Sequence, residues 1–222
     1  MENKIVIKLV AFDLDGTIGN TIPMCIKAIK KAVEPYVMRE LSDIEIIRTF
    51  GVNEEGMTKR LVDNDSWENA LKDFYIVYSE MHELCPQPFS GILDLIKELK
   101  AKEIPIALIT GKGEKSCDIT LSRFGMQNCF DQIITGNPLK NTKSAAIGYL
   151  LHKYNLHPCE MVYIGDAVSD ISACIEAGIS CLSAAWATPN KITLSLEENN
   201  RGRVFYSIHS LRTFLMSHLC DS

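Results

Sequence analysis

Short apolar runs alternate with helical patterns along most of the chain. The runs are rich in β-branched residues and are bounded by Gly, Asp or Thr, and they predict buried parallel strands at 8–15, 104–111, 131–136, 161–166 and 179–185. Between them, apolar residues recur at helical spacing in 91–102, 114–125, 142–154 and 169–179. Gly125 and Gly178 stand where two of these helices should end. The alternation predicts an α/β fold with a three-layer, Rossmann-like core, in which helices cover both faces of a parallel sheet.

The stretch from 18 to 86 breaks this alternation, because its patterns are all helical. A capping-box pattern, Ser42 followed by Glu45, marks one helix start within it. We therefore interpret 18–86 as an α-helical cap domain that is inserted directly after the first strand. The catalytic core is then discontinuous and consists of 1–17 and 87–222.

Composition and charge narrow the range of partners. Of the 222 residues, 46% are hydrophobic and 23% are charged, which is typical of a soluble globular protein with a sizeable core. The 23 basic and 28 acidic side chains give a net charge of -5, and no dense Lys/Arg stripe is present, so nucleic acid is not an expected partner. No apolar run approaches the roughly 20 residues of a membrane span. The N-terminus lacks the features of a signal peptide and the eight cysteines form no CxxC pair, so the expected location is the cytoplasm.

Chemically active residues stand where the predicted strands end. Ligands of open parallel sheets bind at the carboxyl ends of the strands, so these positions carry the functional argument. The candidates are Asp13 and Asp15 after the first strand, Thr110, Gly111 and Lys112 after the second, Asp166 and Asp170 after the fourth, and Lys143 in the helix before the fourth. Each type also has an ordinary structural role, since Asp often caps helices or forms turns and a single lysine is usually solvated. Their joint occurrence at strand ends favours one catalytic cleft.

The motifs that contain these residues strongly resemble those of the haloacid dehalogenase superfamily. They are DLDGT (13–17), LITGKG (108–113), Lys143 in NTKSAAIGYLL, and GDAVSD (165–170). Within the superfamily the chain resembles the phosphoglycolate-phosphatase-like branch, which has a helical cap of the C1 type after the first motif. The resemblance implies a phosphoric monoester hydrolase in which Asp13 is the nucleophile and Asp15 is the general acid and base.

The two acids of DLDGT also suit phosphoryl transfer on chemical grounds. Attack of the Asp13 carboxylate on phosphorus forms an aspartyl phosphate and divides a difficult hydrolysis into two easier steps. Asp15 lies two residues further on, so on a strand its side chain points to the same side. A protonated Asp15 can donate to the leaving oxygen and, as the carboxylate, activate the incoming water. Similar proteins that cleave carbon–halogen or phosphonate bonds lack this second Asp, so its presence favours phosphate esters.

A site with several carboxylates and a phosphate needs a cation. Two like charges about 4 Å apart repel by roughly 4 kcal/mol at an effective dielectric constant of about 20. Mg²⁺ fits a site of carboxylates, a carbonyl, phosphate and water, and it is the expected cofactor. The resemblance implies that Asp13 and Asp166 bind Mg²⁺ through their side chains and Asp15 binds it through its carbonyl. Asp170 is either a further ligand or lies directly behind the ligands.

The remaining motif residues would hold the substrate phosphate. The resemblance implies that Lys143 offsets one of its charges. It also implies that Thr110 and the amides of Gly111 and Lys112 donate hydrogen bonds to its oxygens. Lys140 is a less favoured alternative to Lys143.

The predicted cap gives few indications of the substrate. In similar proteins a loop between cap helices selects the leaving group, and here that loop corresponds to GVNEEG (51–56), with Gly51, Asn53 and Glu54 as candidate specificity residues. Glu54 and Glu55 argue against a strongly anionic leaving group; alternatively, they begin the next helix in solvent. A small phosphorylated metabolite is the expected partner.

Three classes of function stay open. The favoured one is a Mg²⁺-dependent phosphatase that acts on a small phosphomonoester. A phosphosugar mutase of the same family would return the phosphate to the sugar, and a catalytically idle scaffold or regulatory protein would keep only the fold. The complete catalytic set argues against the scaffold. Asn20, Ser144 and Ala187 depart from the family pattern and leave the substrate contacts open, and the sequence predicts no oligomeric state.

Overall fold

The computed structural model describes residues 6–187 and 190–219. Within these residues the strands are β1 (Leu9–Phe12), β2 (Ile106–Ile109), β3 (Gln132–Ile134), β4 (Met161–Gly165), β5 (Ser180–Ala184) and β6 (Val204–Phe205). The helices are α1 (Ile22–Val37), α2 (Asp43–Ile47), α3 (Glu54–Leu61), α4 (Trp67–Met81), α5 (Ile92–Ala101), α6 (Glu114–Phe124), α7 (Lys143–Lys153), α8 (Val168–Ala177), α9 (Asn190–Asn199) and α10 (Ile208–His218). In the part of the chain that is described, every helix is too short or too polar to cross a bilayer.

The strands form one parallel sheet in the order β3-β2-β1-β4-β5-β6. In this sheet Val10 of β1 lies opposite Ile106 of β2 on one side and Val162 of β4 on the other. The chain moves outward from β1 to β3 and then returns to β4 on the other side of β1, so the topological switch point lies between β1 and β4. In open parallel sheets, the crevice at this point, outside the carboxyl ends of the strands, is where ligands bind.

Successive residues of β1 face opposite sides of the sheet. Val10 and Phe12 belong to one hydrophobic core, which also contains the buried faces of α1, α4, α5 and α6. Leu9 and Ala11 belong to a second core on the other face, together with buried residues of α7 and α8. These two cores confirm the predicted three-layer α/β architecture. The predicted helix ends are also confirmed, since Gly125 and Gly178 adopt left-handed backbone conformations directly after α6 and α8.

Two strands differ from what the sequence pattern predicts. The apolar run 131–136 predicts a buried strand, but this is wrong for β3, which lies at the edge of the sheet and leaves Ile133 40% exposed. A run of β-branched residues has the same appearance in an edge strand as in a central one. No pattern predicts β6, because a strand of two residues is too short to display a period.

The regular structure between β1 and α5 is entirely helical among the described residues, as its pattern predicts. The capping box of α2 is present, since Ser42 Oγ accepts the Glu45 N–H at 3.2 Å and Glu45 Oε2 accepts the Ser42 N–H at 2.9 Å. At the other end of the segment, the Tyr78 hydroxyl of α4 lies 2.8 Å from Thr120 Oγ1 of α6. His82 Nε2 lies 3.0 Å from the same Thr120 atom. These bonds fix α4 on the core, while the boundaries of a separate cap domain stay a prediction.

Candidate active site

The DLDGT stretch forms the turn that leaves β1. The Asp13 N–H donates to the Ile164 carbonyl at 2.8 Å, which holds Asp13 beside the end of β4. Gly16 has a φ of +76°, and a Cβ at this position would lie 1.9 Å from Asp166 Oδ2. Glycine is therefore required for the turn to pass directly against the Asp166 carboxylate.

Three carboxylates meet at the switch point. Oxygen atoms of Asp13, Asp166 and Asp170 lie within 4.8 Å of one another, and all three residues are buried. Burial raises the pKa of Asp13 to about 7 and raises the pKa of Asp166 well above its ordinary value, and the neighbouring carboxylates add to both shifts. The charged forms of these acids are therefore disfavoured by burial and by mutual repulsion, and the protein offsets this only in part.

Lys143, the first residue of α7, supplies positive charge to this cluster. Its Nζ lies 3.0 Å from Asp13 Oδ1 and 2.6 Å from Asp170 Oδ1. Burial alone would lower the pKa of Lys143, but the two carboxylates outweigh it and raise that pKa, so the ammonium stays charged. The other Asp170 oxygen, Oδ2, accepts the Ala167 N–H at 3.1 Å at the start of α8. Both oxygens of Asp170 are thus engaged by the protein itself.

Asp15 is held by groups other than those that contact Asp13. Its Oδ1 accepts a hydrogen bond from Thr21 Oγ1 and lies 3.1 Å from the Nζ of Lys112. The Lys112 side chain is buried, and its Nζ lies 4.6 Å from the centre of the Tyr78 ring of α4. The sequence indicates only the amide of Lys112 as a functional group, and the structure adds its side chain as the partner of Asp15. The sequence signal that could have indicated this role is the lysine itself, which stands two residues after Thr110 at the end of a strand.

The loop after β2 is packed against the loop after β3. The Gly136 N–H donates to the Lys112 carbonyl at 2.6 Å, and a Cβ at Gly136 would lie 2.0 Å from the Gly111 carbonyl oxygen. The Lys112 N–H donates to Thr110 Oγ1 at 3.2 Å, so this amide already has a partner within the loop. Thr110 is almost fully buried, whereas a Cβ on Gly111 would meet no atom within 4 Å. The backbone at Gly111 therefore borders open space.

The loop 51–56, which the sequence assigns to the predicted cap and which we call the cap loop, contacts the core directly. Glu54 is the first residue of α3, and its Oε2 accepts the Gly113 N–H at 2.8 Å. Asn53 caps α3 by accepting the Gly56 N–H at 3.1 Å, and its Nδ2 donates to the Gly136 carbonyl at 3.3 Å. The two acids of the loop thus have different environments. Glu54 is buried against the core, whereas Glu55 pairs with Lys59 at the surface.

A cavity of about 380 Å³ extends from the aspartates after β1 and β4 to the cap loop. This volume is typical of a site for a small molecule. Of the predicted site residues, those that line it are Asp13, Asp15, Gly51, Glu54, Thr110, Gly111, Lys112, Lys143 and Asp166. Asn53 and Asp170 lie outside the lining, where Asn53 caps α3 and Asp170 supports Lys143.

The residues present fit a hard divalent cation. The atoms that the cluster offers are all carboxylate oxygens, which such cations prefer over nitrogen or sulfur. Asp13 and Asp166 also line the cavity, so their oxygens can face a bound ion and a substrate together. The raised pKa values of both acids reflect first their burial and then the neighbouring carboxylates, and a bound cation would favour the deprotonated form of both acids.

Comparison with known proteins gives one consistent family. A family model described as haloacid dehalogenase-like hydrolase matches residues 10–184. The phosphoglycolate phosphatase of Pseudomonas putida is 28% identical over 191 residues, which cover 81% of this chain and 70% of that protein. CbbY from Rhodobacter sphaeroides, solved in complex with phosphate, has a TM-score of 0.76 at 18% identity, and the match covers 93% of this chain and 96% of that one. A predicted phosphoglycolate phosphatase from Haemophilus somnus 129PT has a TM-score of 0.73 at 21% identity, with 94% and 97% covered.

Proposed function

The chain belongs to the haloacid dehalogenase-like hydrolase family, and on this basis we propose that it is a Mg²⁺-dependent phosphatase that hydrolyses a small phosphomonoester through an aspartyl phosphate on Asp13. The observation that carries the proposal is the placement of two acids in one cavity, each beside its own lysine. Asp13 lies 3.0 Å from Lys143, and Asp15 lies 3.1 Å from Lys112. One acid is placed to attack phosphorus, and the other is placed to exchange a proton with the leaving group and with water.

In the proposed first step, an Asp13 oxygen attacks phosphorus while the bond between phosphorus and the leaving oxygen breaks. Asp15 donates its proton to that oxygen, so the product leaves as a neutral alcohol. In the second step, Asp15 takes a proton from water as the water oxygen attacks phosphorus. The bond between phosphorus and Asp13 then breaks, which restores both acids and releases inorganic phosphate. Thr21 and Lys112 hold the Asp15 carboxylate for this exchange.

The side chains of Asp13 and Asp166 and the carbonyl of Asp15 would hold the Mg²⁺. When bound, Mg²⁺ neutralises charge on the phosphate and fixes the position of phosphorus. We assign Asp170 to the positioning of Lys143 rather than to direct metal binding, because both of its oxygens already have protein partners.

The phosphate contacts would come from the loop after β2 and from α7. We assign them to the Thr110 hydroxyl, the Gly111 amide and the Lys143 ammonium, all of which belong to residues that line the cavity. Lys112 would act differently, since its amide bonds to Thr110 and its side chain bonds to Asp15.

Phosphate release from a panel of phosphomonoesters tests this proposal. The panel contains phosphoglycolate, sugar phosphates, nucleotides and an aryl phosphate, each with Mg²⁺ and with chelator. We expect release that depends on Mg²⁺ from at least one ester. Isomerisation of a sugar phosphate without net phosphate release would indicate the mutase instead. No turnover of any kind by the folded protein would contradict the proposal.

Mg²⁺ binding is expected to strengthen as the pH rises. The pKa of Asp13 is raised from 3.8 to about 7, so the folded metal-free protein binds more protons than the unfolded chain between these values and loses stability there as the pH increases. A metal ion must displace this proton, and also the proton of Asp166, whose pKa is raised as well, so the apparent Mg²⁺ dissociation constant should fall by at least about tenfold per pH unit between about pH 5 and about pH 7. Thermal unfolding at several Mg²⁺ concentrations measures this constant. An affinity that does not change over this range would contradict the assignment of Asp13 as a ligand.

The contact between α3 and the core is expected to matter for turnover. A Cβ on Gly56 would lie 2.2 Å from the Pro138 carbonyl oxygen, so Gly56→Ala should push the start of α3 away from the active site. Because a displacement of roughly 1 Å at a site can cost about 10²-fold in rate, we expect kcat/KM to fall by about 10- to 100-fold. Gly148→Ala in α7, where a Cβ meets no atom within 4 Å, is the matched control and should keep full activity. Equal kcat/KM values for the two variants would show that this contact has no role in turnover.

A further inference from the structure

The helical segment, residues 18–86, contributes a wall of the cavity that is almost entirely apolar. Its side chains are Ile22, Cys25, Ile47, Phe50, Val52, Met57 and Phe74, together with one charged residue, Glu54. Ile47 and Phe50 are 48% and 37% exposed, so part of this apolar surface is open to an incoming ligand. A leaving group that extends from the reacting phosphate toward this wall would contact hydrocarbon.

The charges around the cavity disfavour an anionic leaving group. Among the described lining residues, the basic ones are Lys112, Lys140 and Lys143, and all three come from the core. Lys112 and Lys143 are already paired with aspartates of the reacting centre. Lys140 is exposed, where an ion pair contributes little to affinity.

Glu54 is the charged group that the apolar wall presents. It is 4% exposed, and it is held in place by the hydrogen bond from the Gly113 N–H to its Oε2. It stands at the amino end of α3, where the helix dipole interacts favourably with a negatively charged side chain. A second anionic group on the substrate would therefore meet a fixed negative charge in a largely apolar surrounding, where repulsion is poorly screened.

We infer that the leaving group of the substrate is an uncharged, largely apolar alcohol, and that Glu54 excludes esters whose leaving group carries a carboxylate or a second phosphate. The inference rests on the proposed phosphatase function and narrows it to a substrate class. The substrate named for the Pseudomonas putida relative, phosphoglycolate, carries such a carboxylate and would be a poor substrate for this chain.

Two esters that differ only by a remote carboxylate test the inference, namely benzyl phosphate and 4-carboxybenzyl phosphate. Their leaving oxygens are alike, so a difference in kcat/KM reports on the site. We expect benzyl phosphate to be preferred about tenfold or more. In Glu54→Gln, kcat/KM for the carboxylated ester should rise, so that the preference for benzyl phosphate becomes about tenfold smaller. Glutamine keeps an oxygen that can accept the Gly113 N–H, but it lacks the negative charge. Glu55→Gln removes the same charge one residue away, at the exposed pair with Lys59, and should leave the preference unchanged.

A second variant tests the apolar part without touching Glu54. Phe50→Ala removes an exposed ring of the wall and should raise KM for benzyl phosphate about fivefold more than KM for methyl phosphate. If the wild type hydrolysed 4-carboxybenzyl phosphate and phosphoglycolate as fast as benzyl phosphate or faster, the inference would be overturned and the phosphatase function would stay intact. An unchanged preference in Glu54→Gln would overturn the role of Glu54. No hydrolysis of any ester would overturn the inference together with the proposed function.

Discussion

Replacement of Asp13 by asparagine is expected to slow phosphate release by about 10⁴-fold or more while the protein stays folded. The amide has nearly the same shape as the carboxylate but is a poor nucleophile, so the aspartyl phosphate cannot form. The fold should persist because the substitution removes one of three neighbouring carboxylates, and Lys143 keeps its partner Asp170 at 2.6 Å. The measurement is the rate of phosphate release at saturating Mg²⁺, with thermal unfolding as the check on folding.

Asp118→Asn is the matched control for this experiment. Asp118 is exposed on α6, so the same change of charge occurs on the core but outside the cavity. We expect this control to release phosphate at the rate of the wild type. If Asp13→Asn retained turnover within about tenfold of the control, Asp13 would not be the nucleophile.

Lys143→Met is expected to reduce both stability and turnover. Lys143 contacts two buried carboxylates, and loss of one partner of a buried ion pair typically costs about 3–5 kcal/mol. For the metal-free protein we expect the free energy of unfolding to fall by about 3 kcal/mol, the lower end of this range. The loss is limited because Asp13, with its pKa raised to about 7, can take up a proton. In turnover, the variant lacks the ammonium that we assign to the substrate phosphate, and kcat should fall by about 10²-fold or more.

Urea unfolding in chelator and steady-state kinetics with Mg²⁺ measure these two effects. Lys140→Met is the control, because Lys140 also lines the cavity but is exposed. A surface substitution of this kind should change the free energy of unfolding by no more than about 0.5 kcal/mol. Equal stability and equal kcat in the two variants would remove Lys143 from the phosphate site.

The core of the fold follows closely from the sequence, because its signals are local. Apolar runs of a few residues mark β1, β2, β4 and β5, and glycines that stop helices mark the ends of α6 and α8. Once the strands are placed in a parallel sheet, their carboxyl ends share one edge. This geometry brings Asp13, Thr110 and Asp166 to one cavity although they are far apart in the chain. The sequence therefore predicts which of these residues come together at the candidate site better than it predicts the surroundings of that site.

What the sequence leaves open depends on contacts between distant segments. Glu54 and Glu55 are chemically identical neighbours, and only the packing of α3 against the loop after β2 buries the first and leaves the second partly exposed, in its pair with Lys59. The position of the Lys112 side chain also depends on distant segments, since its Nζ lies close both to Asp15 and to the Tyr78 ring of α4. The exposure of β3 likewise depends on its place in the sheet order and not on its own residues.

The two lysine–aspartate pairs lie in different parts of the proposed site, which indicates different roles for the two lysines. Lys143 lies at the carboxylate cluster with Asp13 and Asp170, where the proposed substrate phosphate would add negative charge. Lys112 lies between Asp15 and the Tyr78 ring, at the contact between the core and α4. Asp15, the proposed acid and base, is therefore positioned partly by the helical segment, whereas Asp13, the proposed nucleophile, is positioned by the core.

Direct detection of the phosphorylated enzyme tests the central claim. The protein is mixed with para-nitrophenyl phosphate and Mg²⁺, quenched in acid during turnover and digested, and the peptide that contains Asp13 is analysed by mass spectrometry. We predict a phosphate on Asp13 that accumulates further in Asp15→Asn, because a nitrophenolate leaves without a proton whereas hydrolysis of the intermediate still needs Asp15. Phosphate release without any phosphate on Asp13, or with phosphate on another residue, would contradict the proposed mechanism.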